Sequence, residues 1–188
     1  FNLNGIVLFT IYIGLCLALL TPLQCHSSPN ETKGMISSPG VVCWSTGEHQ
    51  VLVVLAILGF LIYPVTLITV AIWQTLTYPA QVAAGRGLKM NVQYNFLFGR
   101  FRTERYYYGC IFLLRNLALS LVPVALSDQG VLKLVVMAWV VLLNMSVSGA
   151  LWPWRTLLSN VSDQCISAFF VLMTLSAAPM MEQSDSSA

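Results

Sequence analysis

Arg115 stands where a charge is expensive. It lies inside residues 106–126 (YYYGCIFLLRNLALSLVPVAL), an otherwise apolar run. At about 1.5 Å rise per residue the run covers roughly 30 Å, the thickness of a hydrocarbon core. A guanidinium at its centre costs at least about 2.5 kcal/mol to insert, so it must face protein or water rather than lipid. Two roles suit such a residue. It can be a gating, ion-path or ligand counter-charge, or an interhelical clamp held by local amides and hydroxyls. Asn116, Asn144 and Ser148 supply those groups.

A second set of reactive side chains, Cys25, His26, Cys43 and His49, falls within or beside one polar stretch (residues 21–50). In an oxidising compartment Cys25 and Cys43 would close the stretch as a disulfide, worth roughly 3 kcal/mol in the chain-entropy model. A tetrahedral zinc site is the sharper alternative. It is disfavoured because adjacent Cys25 and His26 cannot easily aim at one ion, and no C-x-x-C pair is present. Unpaired thiols are the third reading. Asn30-Glu31-Thr32 is a glycosylation sequon, which suits an external loop. Cys16, Cys110 and Cys165 lie in apolar runs and read as packing residues.

Catalytic spacing is missing. There is no G-x-S-x-G, H-E-x-x-H or phosphate-cradling glycine loop, and a lone nucleophile without a base is not a site. Neither histidine lies mid-run, so a haem ligand pair is not expected either. The expectation is a non-enzymatic protein without a cofactor, and nothing in its charge suggests nucleic acid.

The elements that must position these residues are helices. Only 9% of the 188 residues are charged and 57% are hydrophobic, whereas a soluble domain carries about 25% charged residues. Five apolar runs emerge, at residues 1–20, 51–73, 106–126, 131–151 and 161–181, followed by a polar tail at 182–188. The fold class is therefore all-α, a polytopic membrane bundle of about five transmembrane helices, with plasma membrane or endomembrane as its place. Ser162, Asp163, Gln164, Ser167, Thr174 and Ser176 dilute the last run, for which a buried or re-entrant helix is the alternative. Pro64 should kink the second helix, while Pro123 and Pro179 should sit near helix ends. Residues 1–20 lack the basic leader and cleavage site of a signal peptide. They read as a membrane helix in an excerpted or processed chain.

Five of the nine basic residues (Arg86, Lys89, Arg100, Arg102, Arg105) fall in residues 74–105, which should therefore be cytoplasmic, with 21–50 external or lumenal. Aromatic residues interleave with arginine over 90–105 (MNVQYNFLFGRFRTER). This suits a helix lying on the inner leaflet over anionic headgroups, or a simple positive-inside anchor. Trp152, Trp154 and Arg155 end the fourth run in the same way, with Pro153 stopping the helix. The lipid bilayer is thus the expected partner, anionic lipids and other membrane subunits the candidate specific ones.

The short link at 127–130 makes the third and fourth helices antiparallel neighbours. Arg115 and Asn144 then lie at similar depth, and pairing between them is the expected arrangement. Asp163 would be reached only by snorkelling. Ser146-x-x-x-Ala150 permits close helix packing.

Taken together, TPLQCHSSPN, SPGVVCWSTGEHQ, FLFGRFRTERYYYG, LLRNLALSLVP and LWPWRTLLSNVSD resemble the C-terminal membrane region of large multi-pass surface proteins from dinoflagellates and related protists. Those proteins often carry cysteine-rich ectodomains upstream and are loosely similar to fungal transient-receptor-potential-like proteins. The resemblance spans about residues 22–163. It implies hallmark roles for Arg115 and for residues 152–155, and a receptor or channel-like membrane domain. A structural or accessory subunit of a larger membrane complex is the alternative. The sequence departs from a channel pattern in lacking a pore loop between its last two helices.

Overall fold

The computed structural model describes residues 2–27, 33–45 and 47–186. Asn30, the sequon asparagine, lies outside the described residues. Eight helices dominate. Helix α1 (Asn2–Leu20) leads into a small antiparallel sheet of β1 (Cys25–Ser27), β2 (Lys33–Met35) and β3 (Ser38–Val42), in the order β1-β2-β3. Helix α2 (Gly47–Phe60) runs through a π-helical turn (Leu61–Val65) into α3 (Thr66–Ala83). Two short helices follow, α4 (Gly87–Gln93) and α5 (Asn95–Phe98). Three long ones complete the chain, α6 (Tyr108–Ala125), α7 (Gly130–Leu151) and α8 (Leu157–Ser186). The stretches Gly5–Leu23, Gly47–Ala83, Tyr108–Ala125, Gly130–Leu151 and Leu157–Pro179 are long and apolar enough to cross a membrane. The fold is an all-α bundle compatible with an integral multi-pass membrane protein.

Three expectations are corrected. At Pro64, where a kink was expected, there is no N–H to offer the carbonyl four residues back, and the helix takes up the defect as a π turn. One π turn re-registers the backbone, and the Thr66 hydroxyl donates to the Ile62 carbonyl. The helix also outlasts its apolar run, ending at Ala83 rather than 73. Tyr78 explains why, since its ring packs 4.8 Å from Phe98 and 4.9 Å from Tyr106. Tertiary packing there outweighs Pro79 and the polar residues around it. Pro179 likewise sits inside α8, where the candidate span ends while the helix continues to Ser186.

The third correction concerns residues 90–105. They form no single helix: α4 ends at Gln93 and α5 spans only Asn95–Phe98. Phe96, Leu97, Phe98 and Phe101 are buried, the first three in a hub with Phe9, Tyr12, Cys16, Ala71, Tyr78, Met90 and Leu113. Each aromatic ring has some 150–250 Å² to bury, and the space between α1, α3 and α6 buries it more completely than a headgroup layer could. Arg100 belongs to the same arrangement, its guanidinium 5.5 Å from the Phe9 ring centroid. Tyr108, at the start of α6, is fully buried.

The two ends of the bundle differ. At one end an antiparallel bridge between Phe101 and Trp154 joins the α5–α6 connection to the α7–α8 connection. That end gathers Arg86, Lys89, Arg100, Arg102, Arg105 and Arg155. At the other end the sheet sits beside the α6–α7 turn, where His26 Nδ1 lies 3.7 Å from Asp128 Oδ1. Both side chains are well exposed, so the contact marks proximity more than stability.

Candidate functional site

Helices α6, α7 and α8 carry polar residues on the faces they turn toward one another. On α6 the heptad-spaced Tyr108 and Arg115 share a face with Phe112 and Asn116. On α7 Asn144 and Ser148 are buried, and on α8 so are Asn160, Ser167 and Thr174. The apolar side chains of α8, Ile166, Phe169, Leu172, Met173 and Leu175, are exposed instead. α8 is thus amphipathic in the inverted sense of a membrane helix, with its polar stripe inward and its apolar one outward. This accounts for Asp163, Gln164, Ser167 and Thr174 among the residues that dilute its apolar run, while Ser162 and Ser176 are exposed.

Arg115, Asn144 and Asp163 each lie six or seven residues from the same end of their helices, about 10 Å deep at about 1.5 Å per residue. Equal depth alone does not choose Arg115's partner. The structure pairs it with Asp163, not with Asn144: Arg115 Nη1 is 3.9 Å from Asp163 Oδ1, with only 17% and 14% of the two side chains exposed. Nε and Nη2 donate to Asn116 Oδ1 at 3.3 and 3.1 Å, and the guanidinium carbon sits 4.6 Å from the Phe112 ring centroid. The physical reason is charge. In a poorly screened interior an opposite full charge attracts a guanidinium more strongly than an amide dipole does. The expected Arg115–Asn144 pair is corrected accordingly.

Asn144 is left in an unusual state. Neither its Nδ2 nor its Oδ1 makes a hydrogen bond within the described residues, and the same holds for Tyr108 Oη and Asp163 Oδ2. All four atoms are buried, and they come from three helices. The Tyr108 hydroxyl lies close to Asn144, Ser148, Asp163 and Arg115 without reaching hydrogen-bond geometry. Beside them Gln164 Nε2 donates to Ser148 Oγ at 2.6 Å and to the Met145 carbonyl at 3.2 Å, tying α8 to α7. A buried polar atom without a partner costs about 1–3 kcal/mol. Tyr108 and Gln164 were not singled out from sequence. The heptad spacing of Tyr108 to Arg115, and of Asn160, Ser167 and Thr174, is the signal that could have found the faces.

The outer reactive set divides. Cys25 and Cys43 are joined as a disulfide, and both are buried with Met35. His49 is fully buried against them. Its Nδ1 accepts the Trp44 backbone N–H at 3.1 Å, its Nε2 lies 3.1 Å from the Pro22 carbonyl, and Cys25 Sγ is 3.8 Å away. Ligand atoms of Cys25, Cys43 and His49 lie within 4.8 Å of one another, while His26 turns away to Asp128. With the two sulfurs bonded to each other no thiolate remains for a soft cation, and both His49 nitrogens are engaged in the loop. The set does not fit a metal. It fits a staple that closes the loop over the N-terminal end of α2.

Of the residues expected at a lipid interface, Arg102 and Trp152 are exposed and Arg105 is half-buried, with its Nη1 3.4 Å from Tyr107 Oη. Arg155 is exposed as well, and Arg100 and Trp154 are half-buried; the three line one corner of the basic end. No family model, curated protein or solved structure matches the chain.

Proposed function

We propose that this chain is a non-enzymatic, multi-pass membrane domain of receptor or channel-like type, in which the polar seam of α6, α7 and α8 is the working element. The observation that carries the reading is the Arg115–Asp163 pair. It bridges two helices within the spanning stretches, beside buried polar atoms on three helices that make no hydrogen bond among the described residues. An ionisable pair at such a depth is a recurrent feature of ion paths and voltage- or ligand-sensitive bundles, because its energy depends steeply on how the helices sit. The positive end of the bundle faces the cytoplasm in this reading, and the disulfide-closed loop with Asn30 faces outward as a glycosylated surface. The resemblance to the membrane region of protist surface proteins is in keeping with it.

The test is reconstitution of the protein into vesicles with dyes reporting cation, anion and proton flux. Flux that Asp163→Asn and Arg115→Gln change in size or ion preference, at unchanged helix content, supports the proposal. Vesicles that stay tight under all gradients, with or without the substitutions, would remove the conducting version. The alternative, an accessory subunit in a larger membrane complex, draws on the apolar side chains exposed along α2 (Val51, Val54, Leu55, Leu58) and on α7 (Trp139, Leu143). In that reading the paired charges are a clamp, and their joint replacement by leucine leaves assembly intact.

A further inference from the structure

A cavity of about 450 Å³ opens at the basic end, lined by Gly99, Arg100, Trp154, Arg155, Thr156 and Ser159. It contains two arginines and no acidic residue. Its walls are built rather than incidental. The Arg102 N–H donates to the Pro153 carbonyl at 2.8 Å and Arg155 Nε to the Phe101 carbonyl at 3.0 Å. Anchored through Nε, the Arg155 guanidinium keeps both of its terminal NH₂ groups for another acceptor. Arg100 is steadied across the cavity by the Phe9 ring. Thr156 caps α8, its Oγ1 accepting the Ser159 N–H at 3.2 Å and lying 2.7 Å from Ser159 Oγ. The first-turn N–H groups of a long helix therefore lie beside the arginines, and the helix dipole adds positive potential there. Trp154 lines the same cavity, and its buried indole N–H has no acceptor among the described residues.

This is a phosphate-binding chemistry: forked guanidinium donors, hydroxyls and a helix N-terminus, with nothing to repel an anion. What surrounds it indicates the source of the phosphate. Leu157 and Leu158, the first two residues of α8, are 66% and 76% exposed, and Trp152 is 42% exposed just before them. A soluble anion has no use for that apolar rim, whereas a lipid offers acyl chains to cover it and a headgroup to fill the cavity. We propose that this cavity holds the phosphate of an anionic phospholipid headgroup. The proposal concerns the inner end alone and stands whether or not the polar seam conducts.

Native mass spectrometry of the purified protein, titrated with phosphatidic acid or with phosphatidylcholine of the same acyl chains, tests it. Phosphatidic acid should be retained at least about tenfold more tightly, and Arg155→Gln should remove about that factor. Because Arg155 also braces Phe101, a second variant is needed. Ser159→Asp places a carboxylate in the first turn of α8, where the helix tolerates or favours it, and should abolish the preference without unfolding the protein. Arg86→Gln with Lys89→Gln, at the separate cavity under α3, should leave it within about twofold. Equal retention of the two lipids, or a preference that survives Ser159→Asp, would overturn the proposal. Displacement of phosphatidic acid by inorganic phosphate at comparable concentration would overturn the lipid as the source and assign the cavity to a free phosphate.

Discussion

α6 is shared by two regions built on opposite principles. Toward α1, α3 and α5 it joins an aromatic hub in which Leu97, Phe98, Tyr78 and Phe9 interlock and the backbone comes close. A Cβ on Gly109 would stand 3.1 Å from the Leu97 carbonyl. Toward α7 and α8 the same helix presents Arg115, Asn116 and Tyr108 to Asn144, Asp163 and Gln164. Among the described residues, one buried polar atom of the hub, Tyr12 Oη, makes no hydrogen bond, and four of the seam do not. Dispersion and area hold the first region, and both fall off sharply with any displacement. The second is held by a charge pair and a few amides. In the proposed reading the hub is the frame, and the seam is where motion or a permeating species would be accommodated.

The sharpest way to break this contrast is to strand a charge. Asp163→Leu leaves Arg115 buried without its counter-charge, with the Asn116 amide and the Phe112 ring beside it, and should lower unfolding stability in mixed micelles by about 4 kcal/mol. A loss under about 1 kcal/mol would mean that the guanidinium reaches water and that the seam is not a dry charge site. Leu97→Ala comes next, at about 3.5 kcal/mol, because the hub is too closely packed to collapse around the cavity. It should change stability without altering any flux or lipid preference measured at matched folding, and a selective functional loss would blur the division between frame and seam. Asn144→Leu should have the smallest effect and the opposite sign. Neither of its polar atoms makes a hydrogen bond among the described residues, so an apolar side chain of similar size should be neutral or stabilising by about 1 kcal/mol. A clear loss of stability would place Asn144 in a bond network after all.

The five spanning stretches were legible because a bilayer demands apolar length, and little else in a sequence satisfies that demand. Arg115 was legible for the complementary reason, as a cost that needs an explanation. Its partner was not. Asn144 and Asp163 lie at the same depth, and choosing between them requires the rotation of α7 and α8 about their own axes, which hydropathy does not encode. Residues 90–105 misled for a related reason. Alternating arginine and phenylalanine suits both a leaflet surface and a protein interior, and only the space left between α1, α3 and α6 decides for the interior. The disulfide needed no such decision, since Cys25 and Cys43 share one polar loop while the other three cysteines lie in apolar runs.

A double-mutant cycle on Arg115 and Asp163 tests the pairing of α6 with α8 most directly. Arg115→Leu, Asp163→Leu and the double substitution are each taken through reversible unfolding in the same micelles. Removing both charges should cost less than removing Asp163 alone, with a coupling energy of about 2 kcal/mol or more. Additivity within about 0.5 kcal/mol would show that the two residues do not meet, and would return Arg115 to a separate site on α6.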